Sequence, residues 1–452
     1  MPGGISTFFG LETTLRGLLA QQAALDVTSH NIANANTLGY SRQSALLGAS
    51  DALQVTDGAR MATLASIGTG VEVQAYTRIR DQFLDLQYRA QNMVLGQYQT
   101  TSNSLNQVET ALSEPGDNGI ASELDKFWSG WADVANAPES AASRQALVSQ
   151  ANTLTTSIQG LYSQLSAAAS DASTQYNSLT ASPNGEVAQD AAEIANLNTA
   201  IKKAVAAGDH PNDLMDRRDQ LLDKLSQLGQ VSVTDLGNGS IDVNFGDAAN
   251  PIVGDTTVNW PQSINNAVPP PTSAGGKLGA LYDLFKPGGT IASLQSDLNG
   301  IAKDLADKVN ALHNPGGTGT DFFSYTSGSE ASTIAVNVTA SGVVTSTSGA
   351  VGDNDIARAI SELRGGTTDS LYSTFVTRIG SMVQDAQRQQ SSAQALVDSV
   401  DSRRQSTSGV SMDEEMTNMV RFQRAYQASA RAMSTMDEML DTLVNRTGKV
   451  GL

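Results

Sequence analysis

Apolar residues recur at alternating spacings of three and four along both ends of this chain. Near the N-terminus the pattern passes through Phe8, Leu11, Leu15, Leu18, Gln22, Leu25, Ser29 and Ile32. Near the C-terminus it passes through Met416, Met419, Gln423, Tyr426, Ala430, Met433, Asp437, Leu440 and Val444, and Leu443 widens the same face. This spacing places each set on one stripe of a helix, as in the seam of a coiled coil. The sequence therefore predicts two long terminal helices that pair with each other.

A single pair of helices leaves part of these two stripes exposed to water. Ordering about 25 residues costs more backbone entropy than burying one such stripe recovers, so each helix needs partners on more than one side. We expect neighbouring subunits to supply them, and both ends to be loose in the monomer and ordered on assembly. The predicted assembly interface consists of Leu11, Leu15, Leu18, Leu25, Ile32, Met416, Met419, Tyr426, Met433, Leu440 and Leu443.

The segment that follows the N-terminal helix is rich in asparagine and ends in a glycine. Asparagine tolerates the left-handed conformation, and Gly39 permits positive φ. We predict that the chain reverses here beside an assembly contact, with a turn motif of Asn31, Asn34, Asn36, Thr37, Gly39 and Tyr40. Towards the other end, Ser411 and Glu414 have the spacing of a capping box, which predicts the start of the C-terminal helix.

Between the two ends the sequence predicts further long helices and a smaller β-containing centre. Helical periodicity extends over 79–112, 139–181, 291–312 and 371–400, and alternation over 231–245 predicts a β-hairpin. The predicted fold class is mainly α: a long-helix bundle with paired, coiled-coil-like terminal helices and a central β-containing insert domain. The predicted domains are a terminal helical domain (1–45 with 405–452), a helical-bundle domain (46–182 with 351–404) and a mixed α/β outer insert (183–350).

Composition and motifs give little support to an enzyme. A net charge of −18 argues against a nucleic-acid partner, and no window reaches the apolar length of a membrane span, so we expect no membrane insertion. The chain has no cysteine, which excludes a disulfide scaffold and a thiolate nucleophile. No catalytic residue, cofactor or metal site is predicted. Of the three histidines, His30 is expected to be a polar position on an assembly face, and His210 and His313 are expected to lie in loops.

Asp213, Asp216 and Asp219 alternate with Arg217 and Arg218 at helical spacing. Paired carboxylates can act as general acid and base, but interleaved arginines favour a solvated, salt-bridged helix face. We therefore expect this segment to be a polar surface without chemistry of its own.

Motifs at both ends of the chain resemble those of bacterial flagellar axial proteins. Residues 29–43, Ser-His-Asn-Ile-Ala-Asn-Ala-Asn-Thr-Leu-Gly-Tyr-Ser-Arg-Gln, resemble their N-terminal signature, and residues 416–428 resemble their C-terminal helix. The Tyr-Ser-Arg-Gln ending and the interior stretches 216–222, 275–281 and 309–313 are closest to the hook-associated protein 1 (FlgK) family. Leu38 stands where that family usually has proline.

The resemblance implies a structural protein and not an enzyme: a ring of subunits that joins the flagellar hook to the filament outside the cell and is required for filament assembly. It also implies export by the flagellar type III secretion system, which fits an N-terminus without a recognisable cleavable secretory signal. The implied partners are further copies of the chain, the hook protein, the second hook–filament junction protein, and an export chaperone on the C-terminal helix. The terminal motifs alone also fit another axial protein of the rod, hook or filament, whereas a soluble helical enzyme explains neither end.

Overall fold

Long helices dominate the computed structural model, which describes residues 8–56, 64–117, 119–246, 251–260 and 275–446. Within these residues the α-helices are α1 (Phe9–Ala33), α2 (Gln82–Leu112), α3 (Ile120–Asn136), α4 (Ala141–Thr180), α5 (Glu186–Ala206), α6 (Asn212–Leu228), α7 (Gly276–Phe285), α8 (Thr290–His313), α9 (Glu330–Thr333), α10 (Asp355–Ser361), α11 (Thr367–Ser408) and α12 (Met412–Asp441). The strands are β1 (Gln43–Ala49), β2 (Leu53–Thr56), β3 (Leu64–Ile67), β4 (Val71–Arg78), β5 (Val231–Asp235), β6 (Ile241–Phe245), β7 (Val253–Gly254), β8 (Thr257–Val258), β9 (Phe323–Ser324) and β10 (Ala335–Val336). The predicted mainly α fold class is confirmed.

The terminal helices α1 and α12 form an antiparallel pair. Gly10, at the start of α1, lies against Met436 near the end of α12, and Asn31 of α1 lies against Glu415 near the start of α12. A Cβ atom on Gly10 would be 3.1 Å from the Met436 sulfur, so glycine allows the two helices to approach closely here. As the capping box predicts, Ser411 Oγ accepts a hydrogen bond from the Glu414 N–H at the start of α12.

One apolar core joins helices from most of the chain. Phe127, Trp128 and Trp131 of α3 are buried within it, and Phe127 packs against Phe322 with a ring-centroid distance of 5.9 Å. The core also includes Leu154 of α4 and residues of α8 and α11. Because α8 belongs to the predicted insert, the insert and the helical bundle share this core. The division into three domains stays a prediction.

Four strands lie within residues 43–78, although the predicted domain division assigns residues from 46 onward to a helical bundle. β1 pairs antiparallel with β4, and β2 with β3. A register shift between Leu46 and Leu47 interrupts the alternation of β1, which hides a strand from a search for period-two patterns. The β1–β4 pair packs on α1, where Gly70 lies against Thr13. The predicted hairpin at 231–245 is confirmed as β5–β6, and β7 and β8 extend it to a four-stranded sheet.

Candidate functional site: an assembly surface

The paired terminal helices leave every residue of the predicted assembly interface at least partly accessible. Leu15, Met416 and Leu443 are 39%, 58% and 57% exposed. The other predicted interface residues are half-buried: Leu11, Leu18, Leu25, Ile32, Met419, Tyr426, Met433 and Leu440. The buried residues of α1 are small or polar, namely Ala20, Ala24, Thr28 and Asn31, and the buried residue of α12 is Glu415. The pair therefore packs closely along one face and presents apolar side chains on another.

Asn31 connects α1 to the turn, to β1 and to α12. Its side chain is buried, and its amide makes four hydrogen bonds. Nδ2 donates to the Gln43 carbonyl at 2.9 Å and to Glu415 Oε2 at 3.1 Å. Oδ1 accepts from the Gln43 N–H at 3.0 Å and from the Tyr40 hydroxyl at 2.8 Å. Both donors and both acceptor positions of the amide are thus occupied, which fixes the side chain in one orientation.

Arg42 and Glu415 complete the connection to α12. Arg42 Nε donates to Glu415 Oε1 at 2.7 Å, and its Nη1 donates to Glu414 Oε2 at 2.7 Å. The Arg42 N–H also donates to the Ser408 carbonyl at the end of α11. A buried carboxylate is costly unless it is paired and hydrogen-bonded, and both oxygens of Glu415 have partners, one from Arg42 and one from Asn31. Glu415 therefore fixes the start of α12 to the turn. We call Asn31, Tyr40, Arg42, Gln43 and Glu415 the polar hub.

The other turn residues shape the backbone between α1 and β1. Asn34 Nδ2 donates to the His30 carbonyl at the end of α1, and the Thr37 hydroxyl donates to Asn34 Oδ1 at 3.2 Å. Gly39 has a φ of 75°, and a Cβ there would be 2.3 Å from Gln220 Nε2. The positive φ favours glycine at this position, and the exposed Gln220 side chain would have to move to admit a Cβ atom. Asn36 lies exposed on the turn.

Helix α6 carries aspartates that hold the turn on the body, a role that the sequence analysis missed. Asp216 Oδ2 accepts from the Ser41 N–H at 2.9 Å, and Asp216 Oδ1 accepts from the Ser41 hydroxyl at 2.7 Å. The predicted solvated helix face is therefore wrong for Asp216 and Asp219, whose side chains are only 5% and 16% exposed. Asp213, by contrast, is exposed and accepts from Gln43 Nε2. A sequence pattern does point to this cluster: Asp216, Asp219 and Asp223 are spaced by three and four residues, which places three carboxylates on one helix face.

Arginines from β4, α2 and the residues between them neutralise these aspartates. Arg78 Nη1 donates to both Asp216 and Asp219 at 2.8 Å, and Arg80 and Arg89 also contact Asp219. Burial by itself would raise the pKa of the Asp219 carboxyl, but the charges of the three arginines outweigh it and hold this pKa below its ordinary value. Asp219 is therefore ionised and paired in the folded chain.

The structure places the three histidines in different surroundings. His30 Nε2 lies 3.8 Å from Asp213 Oδ2, and its ring packs edge-on against Tyr40. His210 lies in the exposed loop between α5 and α6, as predicted. The prediction of a loop is wrong for His313, which is the last residue of α8 and is buried against Trp131 and Phe322. Its Nε2 accepts from the Val344 N–H at 3.0 Å, and burial lowers its pKa.

The described residues contain no group of three or more histidine, aspartate or glutamate side chains that could hold a metal ion. In the same residues, no helix has both the length and the apolar character needed to cross a bilayer.

This geometry defines a class of protein: a subunit whose N- and C-terminal helices pair with each other and keep apolar side chains accessible. A buried polar hub fixes one end of the pair to the folded body, while apolar side chains remain accessible along its length. Accessible apolar stripes of this kind mark protein–protein contacts.

Comparisons with known proteins agree with this class and give the family. Family models match at both ends, "Flagella basal body rod protein" over residues 11–40 and "Flagellar basal body rod FlgEFG protein C-terminal" over 401–446. A third model, "Flagellar hook-associated protein FlgK helical domain", matches residues 105–323. Flagellar hook-associated protein 1 of Bacillus subtilis (strain 168) is 31% identical over 509 residues, which cover 99% of each chain. The chain belongs to the flagellar hook-associated protein 1 family, and the resemblance seen in its motifs is confirmed.

Other relatives match over part of their length. Flagellar hook-associated protein 1 of Salmonella typhimurium (strain LT2) is 28% identical over 334 residues, which cover 69% of this chain and 58% of the Salmonella protein. The solved flagellar hook junction protein FlgK from Burkholderia pseudomallei is 24% identical, with 53% of this chain and 47% of that chain covered and a TM-score of 0.41. The match therefore spans little more than half of the Salmonella protein, whereas it spans nearly all of the B. subtilis protein.

Proposed function

We propose that this protein is a structural adapter of the bacterial flagellum, located outside the cell, that joins the hook to the filament and is required for filament assembly. The observation that carries the proposal is the accessible apolar face of the α1–α12 pair. Leu19 and Met439 are 54% and 63% exposed there, in addition to the predicted interface residues. Neighbouring helices that cover these apolar side chains remove them from water, which stabilises the assembled state. In this role the protein catalyses no reaction.

The partners in this proposal follow from the two faces that a junction subunit must present. Copies of the chain form a ring through the terminal helix pairs, the hook protein contacts one side of the ring, and the second hook–filament junction protein contacts the other. The terminal helical domain (1–45 with 405–452) lines the inner tube, and the insert (183–350) faces outward. Before assembly, an export chaperone covers the apolar stripe of α12, and the flagellar type III secretion system exports the chain.

Deletion of the gene tests the proposal. Cells that lack this protein should form hooks but no filaments, and should release flagellin into the medium. Electron microscopy of the cells and an immunoblot of the medium measure these outcomes, and expression of the wild-type chain in the same cells should restore the filaments. Normal filaments in the deletion strain would exclude the junction role.

Another flagellar axial protein is the second candidate, because both terminal family matches carry basal body rod names. The interior match over 105–323 favours the junction protein over this candidate, since it carries a hook-associated name. The same deletion separates the candidates: loss of the hooks together with the filaments would indicate a rod or hook subunit, and hooks without filaments and without released flagellin would indicate a filament subunit.

A further inference from the structure

A row of charged side chains runs along the side of α12 that faces away from α1. Helix α1 contacts α12 at Glu415, Ser429 and Met436, which are spaced by multiples of seven residues and therefore lie along one side of α12. Two residues further along an α-helix, the chain has turned by about 200°. Arg431 and Glu438 each lie two residues beyond one of these contacts, so they lie on the opposite side.

We call Asp413, Arg424, Arg431 and Glu438 the outer row of α12. Its last three residues follow one another at intervals of seven, and Asp413 lies two residues before the first contact with α1. All four residues are exposed, and among the described residues none of them has an oppositely charged group within 4.0 Å. An interval of seven residues is about 10.5 Å along the axis, which is too far for an ion pair within the helix. The charges of the outer row are therefore available to a partner.

The order of charges along the outer row is negative, positive, positive, negative. Suppose that two parallel copies of α12 lie side by side at the usual interaxial distance of about 8–10 Å. If the copies are level, arginine lies beside arginine and acid beside acid, and like charges in contact disfavour that arrangement. A displacement by seven residues forms one ion pair, between Arg431 and Glu438, but places Arg424 beside Arg431. Neither arrangement satisfies the row.

A displacement by 14 residues, about 21 Å along the axis, brings opposite charges together at both ends of the row. Arg424 of one copy then lies level with Glu438 of the other. Asp413 of the first copy lies level with position 427 of the second, between Arg424 and Arg431. Because the whole chain carries a net charge of −18, another copy also offers mainly acidic groups to these arginines.

We propose that the outer row is a contact between copies of this chain, in which Arg424 pairs with Glu438 of a neighbouring copy displaced by about 21 Å along the helix axis. Asp413 of the displaced copy pairs with the arginines of its neighbour. The proposal rests on the proposed assembly of copies through their terminal helix pairs. It adds which charged residues meet and how far the contacting copies are displaced.

Cysteine cross-linking measures the displacement. The chain has no cysteine of its own, and a short bismaleimide cannot bridge positions 424 and 438 of one helix, about 21 Å apart. Assembled flagella that carry Arg424→Cys together with Glu438→Cys should therefore give cross-linked multimers on a denaturing gel. Arg431→Cys alone is the control, because it gives a cross-linked dimer only if the copies are level; that dimer would overturn the proposed displacement.

Reversal of charge tests the ion pair itself. R424E and E438R should each weaken the contact on the order of 10- to 100-fold and reduce the number of filaments, because like charges replace an ion pair. The two substitutions in one chain should restore filaments, since they form the pair with its charges exchanged. R388E is the matched control: Arg388 is 69% exposed on α11, outside the outer row, and its reversal should leave filaments unchanged.

An immunoblot of the medium separates a defect in assembly from a defect in export, because a subunit that fails only to assemble is still released. Filaments that are unchanged in R424E, or that are not restored in the double variant, would overturn the ion pair. Absence of multimers from the cysteine pair would overturn the displacement. Each of these results would leave the junction role intact if the deletion strain still forms hooks without filaments.

Discussion

Replacement of Asn31 by alanine should release the terminal helix pair from the body. The substitution removes four hydrogen bonds and leaves the N–H and carbonyl of Gln43, which is itself buried, without their partner. Each buried backbone group left unsatisfied costs about 1–3 kcal/mol. Water that enters the space left by the side chain recovers part of this cost, so we expect a loss of about 2–4 kcal/mol from the local stability of the hub.

Amide hydrogen exchange measures this loss at named positions. A loss of about 2–4 kcal/mol increases the opening equilibrium roughly 30- to 1,000-fold. Peptides that cover residues 43–46 and 412–420 should therefore exchange faster by that factor in N31A. Peptides from α4, such as 147–165, should exchange as in the wild type, because the core there does not contact the hub.

Asn34→Ala is the matched control for this experiment. Asn34 belongs to the same turn but is only partly buried; its side chain donates to the His30 carbonyl and accepts from the Thr37 hydroxyl in an exposed hydrogen bond. Its loss should cost about 1 kcal/mol or less. Equal exchange of residues 43–46 and 412–420 in N31A and the wild type would refute the assignment of the hub as the anchor of the helix pair.

Three further predictions concern the stripe, the turn and the effect of pH. Leu440→Asp and Leu443→Asp place carboxylates on the predicted interface, so they should block junction assembly or chaperone binding without lowering the unfolding temperature of the body. Unchanged motility together with unchanged chaperone affinity would count against the apolar stripe of α12 as an interface. Gly39→Ala should destabilise the chain by about 1–3 kcal/mol in urea unfolding, because φ is 75° and Gln220 occupies the space. Gly300→Ala, in open space on α8, should stabilise it by about 0.5–1 kcal/mol, and equal effects of the two substitutions would contradict the preference for glycine at 39. Burial lowers the pKa of His313 in the folded chain, so the unfolded chain binds the proton more readily. The contribution of His313 to the free energy of unfolding should therefore be complete above the unfolded pKa of about 6.5 and should decrease as the pH drops below it. His313→Gln should remove this slope and the exposed His210→Gln should keep it, and a slope that persists in H313Q would show that another group is responsible.

Local sequence patterns predicted the long helices well. The capping box places the start of α12 at Ser411 within one residue, and periodicity over 139–181 predicts α4 to within two residues at its N-terminal end. These signals succeed because caps and helical periodicity depend on neighbours three or four residues away. Both terminal stripes and the asparagine-rich turn were visible for the same reason, and so was the family resemblance that they carry.

Contacts between distant parts of the chain were not visible in these patterns. The local sequence predicts that Asp216 is a solvated residue of a charged helix. In the structure it accepts hydrogen bonds from Ser41 and Arg78, which are 175 and 138 residues away in the sequence. His313 reads as a loop residue because Asn314 and Pro315 follow it, yet the core buries it. Strand β1 escaped notice because a register shift breaks its alternation.

The sequence alone determined that both ends of the chain form helices with an apolar stripe, because helical periodicity is a property of residues within two turns of each other. The tertiary structure decided which face of each helix is used within the molecule. It buries Ala20, Ala24 and Thr28 of α1 and leaves Leu15 accessible, because small residues allow α12 and the β1–β4 pair to approach closely. It also decided that Asn31 and Glu415 meet, since their 384 residues of separation place that contact beyond any local pattern.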